Sequence, residues 1–304
     1  MTLRLGINGF GRIGRTVFRI AEHHPDIKVV AINDLTADAN LPMLTKYDTV
    51  MGRFDSDPTL VDGHLRTAHQ SAKVLTERDP SKLPWKDLGV DIAIECTGVF
   101  RKRDQVAMHI TAGAKKAILC VPSKDKVDAT IVIGVNDDAL RPEHLVVSNA
   151  SCTTNCLAPM VKVLDMAFGI KRGLMTTVHA YTNGQALVDV YDTEDFRRGR
   201  SAANNVVPST TGAAKAVGEV LPHLKGKLDG MAVRVPVVDG SLTDLVADWL
   251  MPQYVMAARE QLAAVPNGAE RWKVLRMTAN DLVALRRCDL NAARLALERA
   301  KEVT

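Results

Sequence analysis

Short apolar runs rich in valine and isoleucine alternate with helical patterns from the start of the chain. The runs lie at residues 4–8, 28–34, 91–98, 116–122, 130–135 and 144–149. After the first run, Ile13, Val17 and Ile20 recur with the spacing of one helix face. Apolar runs of this length without strict alternation are typical of parallel strands buried on both faces. The pattern predicts an α/β domain with a doubly wound parallel sheet.

The segment at residues 35–84 breaks this alternation. It contains the stretches "GRFDSDP" and "LVDGHLR", in which turn-forming residues separate short apolar stretches. We expect an excursion that adds a small hairpin to the sheet, and not a helical crossover.

The loop after the first predicted strand has the glycine pattern "GFGRIG", with Gly9, Gly11 and Gly14. Such glycines permit a tight turn and let backbone N–H groups approach a pyrophosphate at a helix N-terminus. Asp34 ends the next strand, where a carboxylate accepts hydrogen bonds from ribose hydroxyls and repels a 2′-phosphate. The glycines could instead do no more than form a tight turn, and Asp34 could do no more than cap a loop. The coincidence of all three features favours a Rossmann domain that binds NAD rather than NADP.

The stretch "SNASCTTNC" at residues 148–156 holds two cysteines one helical turn apart. It could be a metal clip, half of a disulfide, a packed helix start or a reactive thiol. Helical periodicity begins after it, which predicts a helix with Ser151 as N-cap and Pro159 near its start. Cys152 would then lie at the helix N-terminus, a position that lowers a thiol pKa. We expect Cys156 to face the same side but to be packed deeper.

Activation of such a thiol calls for an imidazole as well as a helix terminus. The alternation of Leu174, Thr176 and Val178 predicts a strand with His179 on its other face or at its end. A strand holds an imidazole rigidly, as a general base requires. Taken alone, a histidine such as His179 is more often structural than catalytic, and the sequence does not rank it above the seven other histidines.

Composition narrows the class of protein. The 304 residues are enough for two domains, and 46% of them are hydrophobic. Five cysteines at unpaired spacings are expected to be free thiols of a reducing compartment, and no C-x-x-C pair supports a metal site. No apolar run reaches the roughly 18 residues of a membrane span, and no signal-peptide pattern is present. With a net charge of +4 that is not clustered, we expect a cytoplasmic protein that binds neither membrane nor nucleic acid.

Motifs follow one another in order along most of the chain. They are "INGFGRIGR" at 7–15, "AIND" at 31–34, "ECTGVF" at 95–100, "SNASCTTNCLAP" at 148–159, "TTVHAYTN" at 176–183 and "PSTTGAAKAVGEVLPHLKGKLDGMAVRVP" at 208–236. In this order they resemble the phosphorylating glyceraldehyde-3-phosphate dehydrogenase family from residue 1 to about residue 245. The cysteine segment also resembles the related erythrose-4-phosphate dehydrogenases.

The resemblance implies an NAD-dependent oxidoreductase of glycolysis or carbon fixation. Cys152 would form a hemithioacetal with glyceraldehyde 3-phosphate, with His179 as its proton acceptor. Oxidation would give a thioester, and inorganic phosphate would release 1,3-bisphosphoglycerate. The family also implies a homotetramer.

The resemblance implies roles for further residues as well. The cofactor would be bound by the glycine loop with Arg12 and Ile13, by Asp34, by Arg78 and Thr97 near the adenosine half, and by Cys120 near the nicotinamide. The attacking phosphate would be bound by Ser151, Thr153, Thr211 and Gly212. The phosphate of the substrate would be bound by Thr182, Arg198 and Arg234.

Three features depart from the family pattern, one of which is a loop at residues 189–200 that is about one residue longer than the family's. Gly184 stands where the family has an aspartate after "YTN". From Met251 the sequence is helical by pattern, and the family's last strands and its nicotinamide-binding asparagine are not found there. We therefore expect an NAD-binding domain at 1–150, an α+β catalytic domain at 151–250 with a mostly antiparallel sheet, and a helical tail at 251–304 that replaces the end of that sheet. A non-catalytic NAD-binding paralogue and an erythrose-4-phosphate dehydrogenase remain alternatives.

Overall fold

The computed structural model describes residues 2–36, 38–193 and 195–248. The first part contains, in chain order, β1 (Leu3–Asn8), α1 (Arg12–Ala21), β2 (Ile27–Asn33), α2 (Leu41–Lys46), β3 (Tyr47–Asp48), β4 (Gly52–Arg53), β5 (Thr59–Val61), β6 (His64–Arg66), β7 (Ser71–Leu75), β8 (Ile92–Glu95), α3 (Arg103–Thr111), β9 (Lys116–Leu119), β10 (Ala129–Thr130) and β11 (Val146–Ser148). The second part contains α4 (Cys152–Phe168), β12 (Arg172–Ala180), β13 (Val207–Thr210), α5 (Ala213–Val220), β14 (Leu228–Val235) and β15 (Ser241–Asp248). None of these helices combines the length and apolar character that a bilayer crossing requires.

The first part forms a nine-stranded sheet in the order β10-β11-β9-β8-β1-β2-β7-β6-β5. Every pairing from β10 to β7 is parallel, and β5 to β7 pair antiparallel. After β1 the chain adds β2 on one side of it and later returns to add β8 on the other side. The strand order therefore reverses between β1 and β8, the point where a doubly wound sheet opens a ligand crevice at its carboxyl edge. This confirms the predicted fold class of the first part.

A tight hairpin extends the sheet at the predicted position. Asp62 and Gly63 connect β5 to β6 with φ of 51° and 69°, the positive angles that a type I′ turn requires. The rest of the excursion differs from the prediction, because it holds the short helix α2 and leads to β7, a parallel partner of β2. Pro42 in the first turn of α2 hides the helix from periodicity analysis.

A buried polar network ties the central strands together at the carboxyl edge. The side chains of Glu95 and His109 are fully buried, and Nε2 of His109 lies 3.0 Å from a Glu95 oxygen. The same oxygen accepts from Nδ2 of Asn8 at 2.6 Å. The other oxygen accepts from both the N–H and the hydroxyl of Thr97. The indole N–H of Trp85 donates to Nδ1 of His109 at 3.0 Å, so Nε2 carries the ring proton toward Glu95.

The second part forms a four-stranded sheet in the order β13-β14-β12-β15. β12 pairs parallel with β14 and antiparallel with β15, and β13 pairs antiparallel with β14. The sheet is therefore mixed, with two of its three pairings antiparallel, in agreement with the predicted mostly antiparallel sheet. Helices α4 and α5 cover one face through a shared core that includes Leu157, Val161, Met175 and Val217.

Two sequence-based expectations about elements are wrong. Of the run at 130–135, only Thr130 belongs to a strand, because Asn136 accepts from the N–H of Val132 and turns the chain, and Gly134 takes a φ of 78°. Pro159 lies inside α4 and not near its start. The predicted helical tail at 251–304 lies outside the described residues.

We predict that His109→Ala lowers the free energy of unfolding by about 3 kcal/mol, because it leaves Trp85 Nε1 without an acceptor and removes one partner of a buried carboxylate. The measurement is equilibrium denaturation by urea. His24→Ala, at an exposed position, is the matched control and should change stability by less than about 0.5 kcal/mol. Equal effects of the two substitutions would contradict a stabilising network.

Candidate functional site

The glycine turn between β1 and α1 is packed so closely that side chains are excluded from two of its positions. Gly9 has a φ of 92°, and a Cβ there would lie 2.6 Å from the backbone nitrogen of Thr97. A Cβ at Gly14 would lie 2.1 Å from the carbonyl oxygen of Gly9. At Gly11 a Cβ would meet only open space. The turn therefore leaves open space beside Gly11, the N-cap of α1, and a helix N-terminus next to open space suits a pyrophosphate.

Asp34, at the end of β2, is bound to this turn. One carboxylate oxygen accepts from the N–H of Phe10 at 2.7 Å, and the other accepts from the N–H and hydroxyl of Thr36 at 2.9 and 2.6 Å. Burial raises the pKa of Asp34, but the hydrogen bonds from Thr36 and Phe10 outweigh burial and hold the pKa below its usual value. The carboxylate is thus an anion beside the turn, in the place that suits ribose hydroxyls.

The remaining cofactor candidates lie around the same edge. Arg12 and Ile13 begin α1, and Nη1 of Arg12 donates to the carbonyl of Val238 at 3.2 Å. Arg78 is exposed after β7. Thr97 follows β8, and its hydroxyl is bound to Glu95.

Cys120 follows β9, and its sulfur lies 3.2 Å from that of Cys96. Both cysteines lie at the carboxyl ends of neighbouring strands. The structure therefore brings Cys120 to the same edge of the sheet as the glycine turn.

Ala150, just before α4, has a strained backbone conformation. Ala150 is buried and has a φ of 55°, a left-handed conformation that costs a non-glycine residue about 1–2 kcal/mol. The Ser148 hydroxyl accepts its N–H at 3.1 Å. Next to it, Ser151 is the N-cap and accepts from the N–H of Thr154 at 2.9 Å. Cys152 is therefore the first residue of α4, as the sequence predicts, and it is exposed.

Cys152 and His179 meet at the ends of two elements. Nε2 of His179, next to last in β12, lies 3.3 Å from Sγ of Cys152. The hydrogen bond from His179 lowers the pKa of Cys152 most, and contacts with Thr153 add to this against the opposing effect of burial. The same bond to Cys152 raises the pKa of His179. Both shifts favour a thiolate–imidazolium pair over two neutral groups.

The other ring nitrogen of His179 has two competing neighbours. Nδ1 lies 2.7 Å from the carbonyl oxygen of Ala180 and 2.8 Å from Nη1 of Arg234. Guanidinium only donates, so Nδ1 accepts from Arg234 when the neutral ring carries its proton on Nε2. Nδ1 donates to Ala180 when the ring is protonated or carries its single proton on Nδ1. In both states Nε2 stays directed at Cys152.

Two arginines contribute positive charge near the Cys152–His179 pair, since Arg234 contacts His179 and interacts with Arg198. Burial lowers the pKa of Arg234, the negative charge of Cys152 raises it, and the positive charge of Arg198 lowers it further. The charges of Arg234 and Cys152 therefore act on each other, and the charge of Arg198 acts on Arg234. Nη2 of Arg198 donates to the carbonyl of Gly184 at 3.0 Å, and a Cβ at Gly184 would lie 2.6 Å from this nitrogen. The departure from the family's aspartate thus makes room for Arg198.

The other predicted phosphate-binding residues lie in three separate segments of the chain. Thr153 is buried in the first turn of α4, and Thr182 follows β12. Thr211 accepts from the N–H of Ala213 at 3.2 Å, and Gly212 is the N-cap of α5. Ser151 and Thr153 are brought next to Cys152 by sequence alone, whereas the approach of Arg198 and Arg234 depends on the fold.

Two outcomes correct or extend the sequence analysis. Cys156 is exposed and not packed, because the buried face of α4 is formed by Thr153, Thr154, Leu157, Ala158 and Val161. Glu95 was not identified as a site residue, although it binds Thr97 beside the glycine turn. A carboxylate that ends the buried run "IAIE" is a signal that could have identified it.

Comparison with known proteins agrees with both halves of this arrangement. Residues 3–103 match the family described as "Glyceraldehyde 3-phosphate dehydrogenase, NAD binding domain". Residues 151–294 match "Glyceraldehyde 3-phosphate dehydrogenase, C-terminal domain". The second match extends beyond residue 245, which is about as far as the sequence motifs resemble the family.

Curated relatives bear the same family name. The glyceraldehyde-3-phosphate dehydrogenase of Streptomyces coelicolor is 55% identical over 250 residues, which are 82% of this chain and 74% of the relative. The enzyme of Geobacillus stearothermophilus is 55% identical over 249 residues, with the same coverage of 82% and 74%. Glyceraldehyde-3-phosphate dehydrogenase 1 of Bacillus subtilis is 53% identical over 272 residues, 89% of this chain and 79% of the relative.

The lowered pKa of Cys152 predicts selective alkylation. At neutral pH iodoacetamide should label Cys152 roughly ten times faster than Cys156, because the hydrogen bond from His179 lowers the pKa of Cys152 and raises its thiolate fraction. Since thiolate grows as pH rises through the pKa, this selectivity should shrink at alkaline pH. In His179→Asn the preference should largely disappear. The measurement is peptide mass spectrometry over time, and equal slow labelling of both cysteines would show that Cys152 is not activated.

Proposed function

The chain belongs to the glyceraldehyde-3-phosphate dehydrogenase family, and from this membership we propose that it oxidises glyceraldehyde 3-phosphate to 1,3-bisphosphoglycerate with NAD and inorganic phosphate. The single observation that carries the proposal is the 3.3 Å contact between Sγ of Cys152 and Nε2 of His179. A nucleophile with a base in hydrogen-bond reach is the arrangement that covalent catalysis requires.

Cys152 begins the reaction as a thiolate. It attacks the aldehyde carbon and forms the C–S bond of a hemithioacetal, while the imidazolium of His179 gives its Nε2 proton to the developing alkoxide. The backbone N–H of Thr153 in the first turn of α4 also lowers the pKa of Cys152, and the partial positive charge of the helix N-terminus stabilises the thiolate before attack.

His179 then works in the opposite direction. Its neutral Nε2 accepts the hydroxyl proton of the hemithioacetal as the carbon is oxidised to the thioester, a contribution typically worth about 10²–10⁴-fold. Nδ1 keeps its proton throughout and donates to the carbonyl oxygen of Ala180, so that the ring keeps its position through both proton transfers.

NAD is the cofactor of the family and supplies the acceptor of the hydride in this oxidation. The site fits a dinucleotide, since Gly11 borders open space and the carboxylate of Asp34 adjoins the turn. We assign the pyrophosphate to the glycine turn with Arg12 and Ile13 and the ribose to Asp34. Arg78 and Thr97 would contact the adenosine half, and Cys120 the nicotinamide side.

Two anions require separate sets of donors. We assign the phosphate of the substrate to Thr182, Arg198 and Arg234, because guanidinium groups form charge-assisted, forked contacts with phosphate. We assign the attacking phosphate to Ser151, Thr153, Thr211 and Gly212 at the starts of α4 and α5. Its attack on the thioester carbon forms the acyl phosphate and releases the Cys152 thiolate.

The central test is NADH formation from glyceraldehyde 3-phosphate, NAD and inorganic phosphate. We expect turnover that requires phosphate, and Cys152→Ser should lower kcat by at least about a thousandfold, because the covalent intermediate can no longer form. Cys156→Ser, one turn along the same helix, is the matched control and should keep activity near that of the unmodified chain.

The outcomes separate the remaining alternatives. NAD binding without turnover would indicate a non-catalytic paralogue. Turnover with erythrose 4-phosphate but not with the triose phosphate would indicate the related dehydrogenase. Activity that survives in Cys152→Ser would contradict the covalent mechanism.

A further inference from the structure

Two thiols outside the proposed catalytic pair lie in contact at the carboxyl edge of the first sheet. Sγ of Cys96 and Sγ of Cys120 are 3.2 Å apart, and both residues are half-buried free cysteines. Neither sulfur has a role in the proton transfers proposed above.

The backbone holds the two cysteines opposite each other. β8 and β9 are parallel with Glu95 opposite Leu119, so the next pair in register is Cys96 with Cys120. The ladder continues to this pair, since the N–H of Cys120 donates to the carbonyl of Glu95 at 3.1 Å. Neighbouring strands are about 4.8 Å apart, which lies within the range of Cα separations that a disulfide spans. Bond formation shortens the sulfur–sulfur distance from 3.2 Å to about 2.05 Å and so draws Cys96 and Cys120 toward each other.

The pair borders the glycine turn. A Cβ at Gly9 would lie 2.8 Å from the carbonyl carbon of Cys96 and 2.6 Å from the nitrogen of Thr97. The N–H of Cys96 donates to the carbonyl of Asn8, at the end of β1, at 2.7 Å. Because the turn is in contact with Cys96 and has no free space on that side, a displacement of Cys96 must displace Gly9 too.

We propose that Cys96 and Cys120 form a dithiol site that hydroperoxides oxidise to an intrachain disulfide, and that this disulfide weakens NAD binding. The site is independent of Cys152 and does not rest on the proposed catalytic step. It rests only on the binding of NAD at the glycine turn.

The chemistry balances with hydrogen peroxide as the oxidant. The hydrogen bond from Cys96 lowers the pKa of Cys120, so Cys120 is the attacking thiolate. Its sulfur forms an S–O bond, the O–O bond breaks, and the departing hydroxide takes up a proton to become water. Cys96 then loses its proton and attacks this sulfur, forming the S–S bond and releasing the second oxygen as water. Two thiols are oxidised by two electrons, and one peroxide is reduced to two waters.

Disulfide formation and NAD binding must affect each other reciprocally. If the disulfide weakens NAD binding, bound NAD favours the dithiol by the same factor. A roughly tenfold effect on NAD affinity corresponds to a reduction potential about 30 mV more positive when NAD is saturating.

The experiment uses the full chain with Cys152→Ser, which removes the proposed catalytic thiol and does not depend on turnover. The protein is treated with hydrogen peroxide, cross-links are mapped by peptide mass spectrometry, and NAD affinity is measured by calorimetry. We expect a Cys96–Cys120 cross-link, roughly tenfold weaker NAD binding and full recovery with dithiothreitol. Cys152→Ser with Cys96→Ser is the matched control, and its NAD affinity should not change on treatment. Midpoints in glutathione buffers with and without NAD give the reciprocal shift.

Three results would overturn the proposal. The first is oxidation of Cys120 without a bond to Cys96, or a bond to any other cysteine. The second is equal NAD affinity of the linked and reduced forms. The third is an equal loss of affinity in the Cys96→Ser control.

Discussion

The contact between the sulfur of Cys152 and the imidazole of His179 requires the start of α4 and the end of β12 to lie next to each other. Cys152 begins α4 and His179 is next to last in β12. Packing of the helix on the second sheet through Leu157, Val161 and Met175 holds the two ends in register. Ala150 accepts a left-handed backbone just before the helix, a cost of about 1–2 kcal/mol that the surrounding core must offset. The strained backbone at Ala150 and the packing of α4 on the second sheet therefore both determine where the sulfur of Cys152 lies.

The same stretch of chain joins the two sheets. β11 belongs to the first sheet, and α4 begins only a few residues after its last residue, Ser148. Nη1 of Arg12 at the start of α1 also donates to the carbonyl of Val238 in the second part. The edge of the first sheet that suits a dinucleotide is thus directly connected to the helix that bears the thiol. A change at the carboxyl ends of β8 and β9, where Cys96 and Cys120 meet, acts on the cofactor side of this connection.

Most of the fold of the described residues could be predicted from the sequence, because buried parallel strands and their glycine turn leave strong local patterns. Periodicity and capping chemistry predicted the start of α4 and the strand that bears His179. Other features depend on three-dimensional neighbours. The turn at Gly134, the exposure of Cys156 and the left-handed Ala150 follow from which face each segment packs. Local patterns did not single out His179, Arg198 or Arg234, whose roles were implied by the resemblance. The contact between Cys96 and Cys120 depends on the register of β8 and β9.

The ionisation of Cys152 in the resting protein tests the central claim most directly. Thiolate absorbs in the ultraviolet, so a pH titration of the chain minus that of Cys152→Ser isolates this one sulfur. The account predicts a midpoint below the ordinary thiol value of about 8.5, because the hydrogen bond from His179 lowers the pKa of Cys152, and a higher midpoint in His179→Asn. A midpoint at the ordinary value that does not respond to the loss of His179 would contradict it.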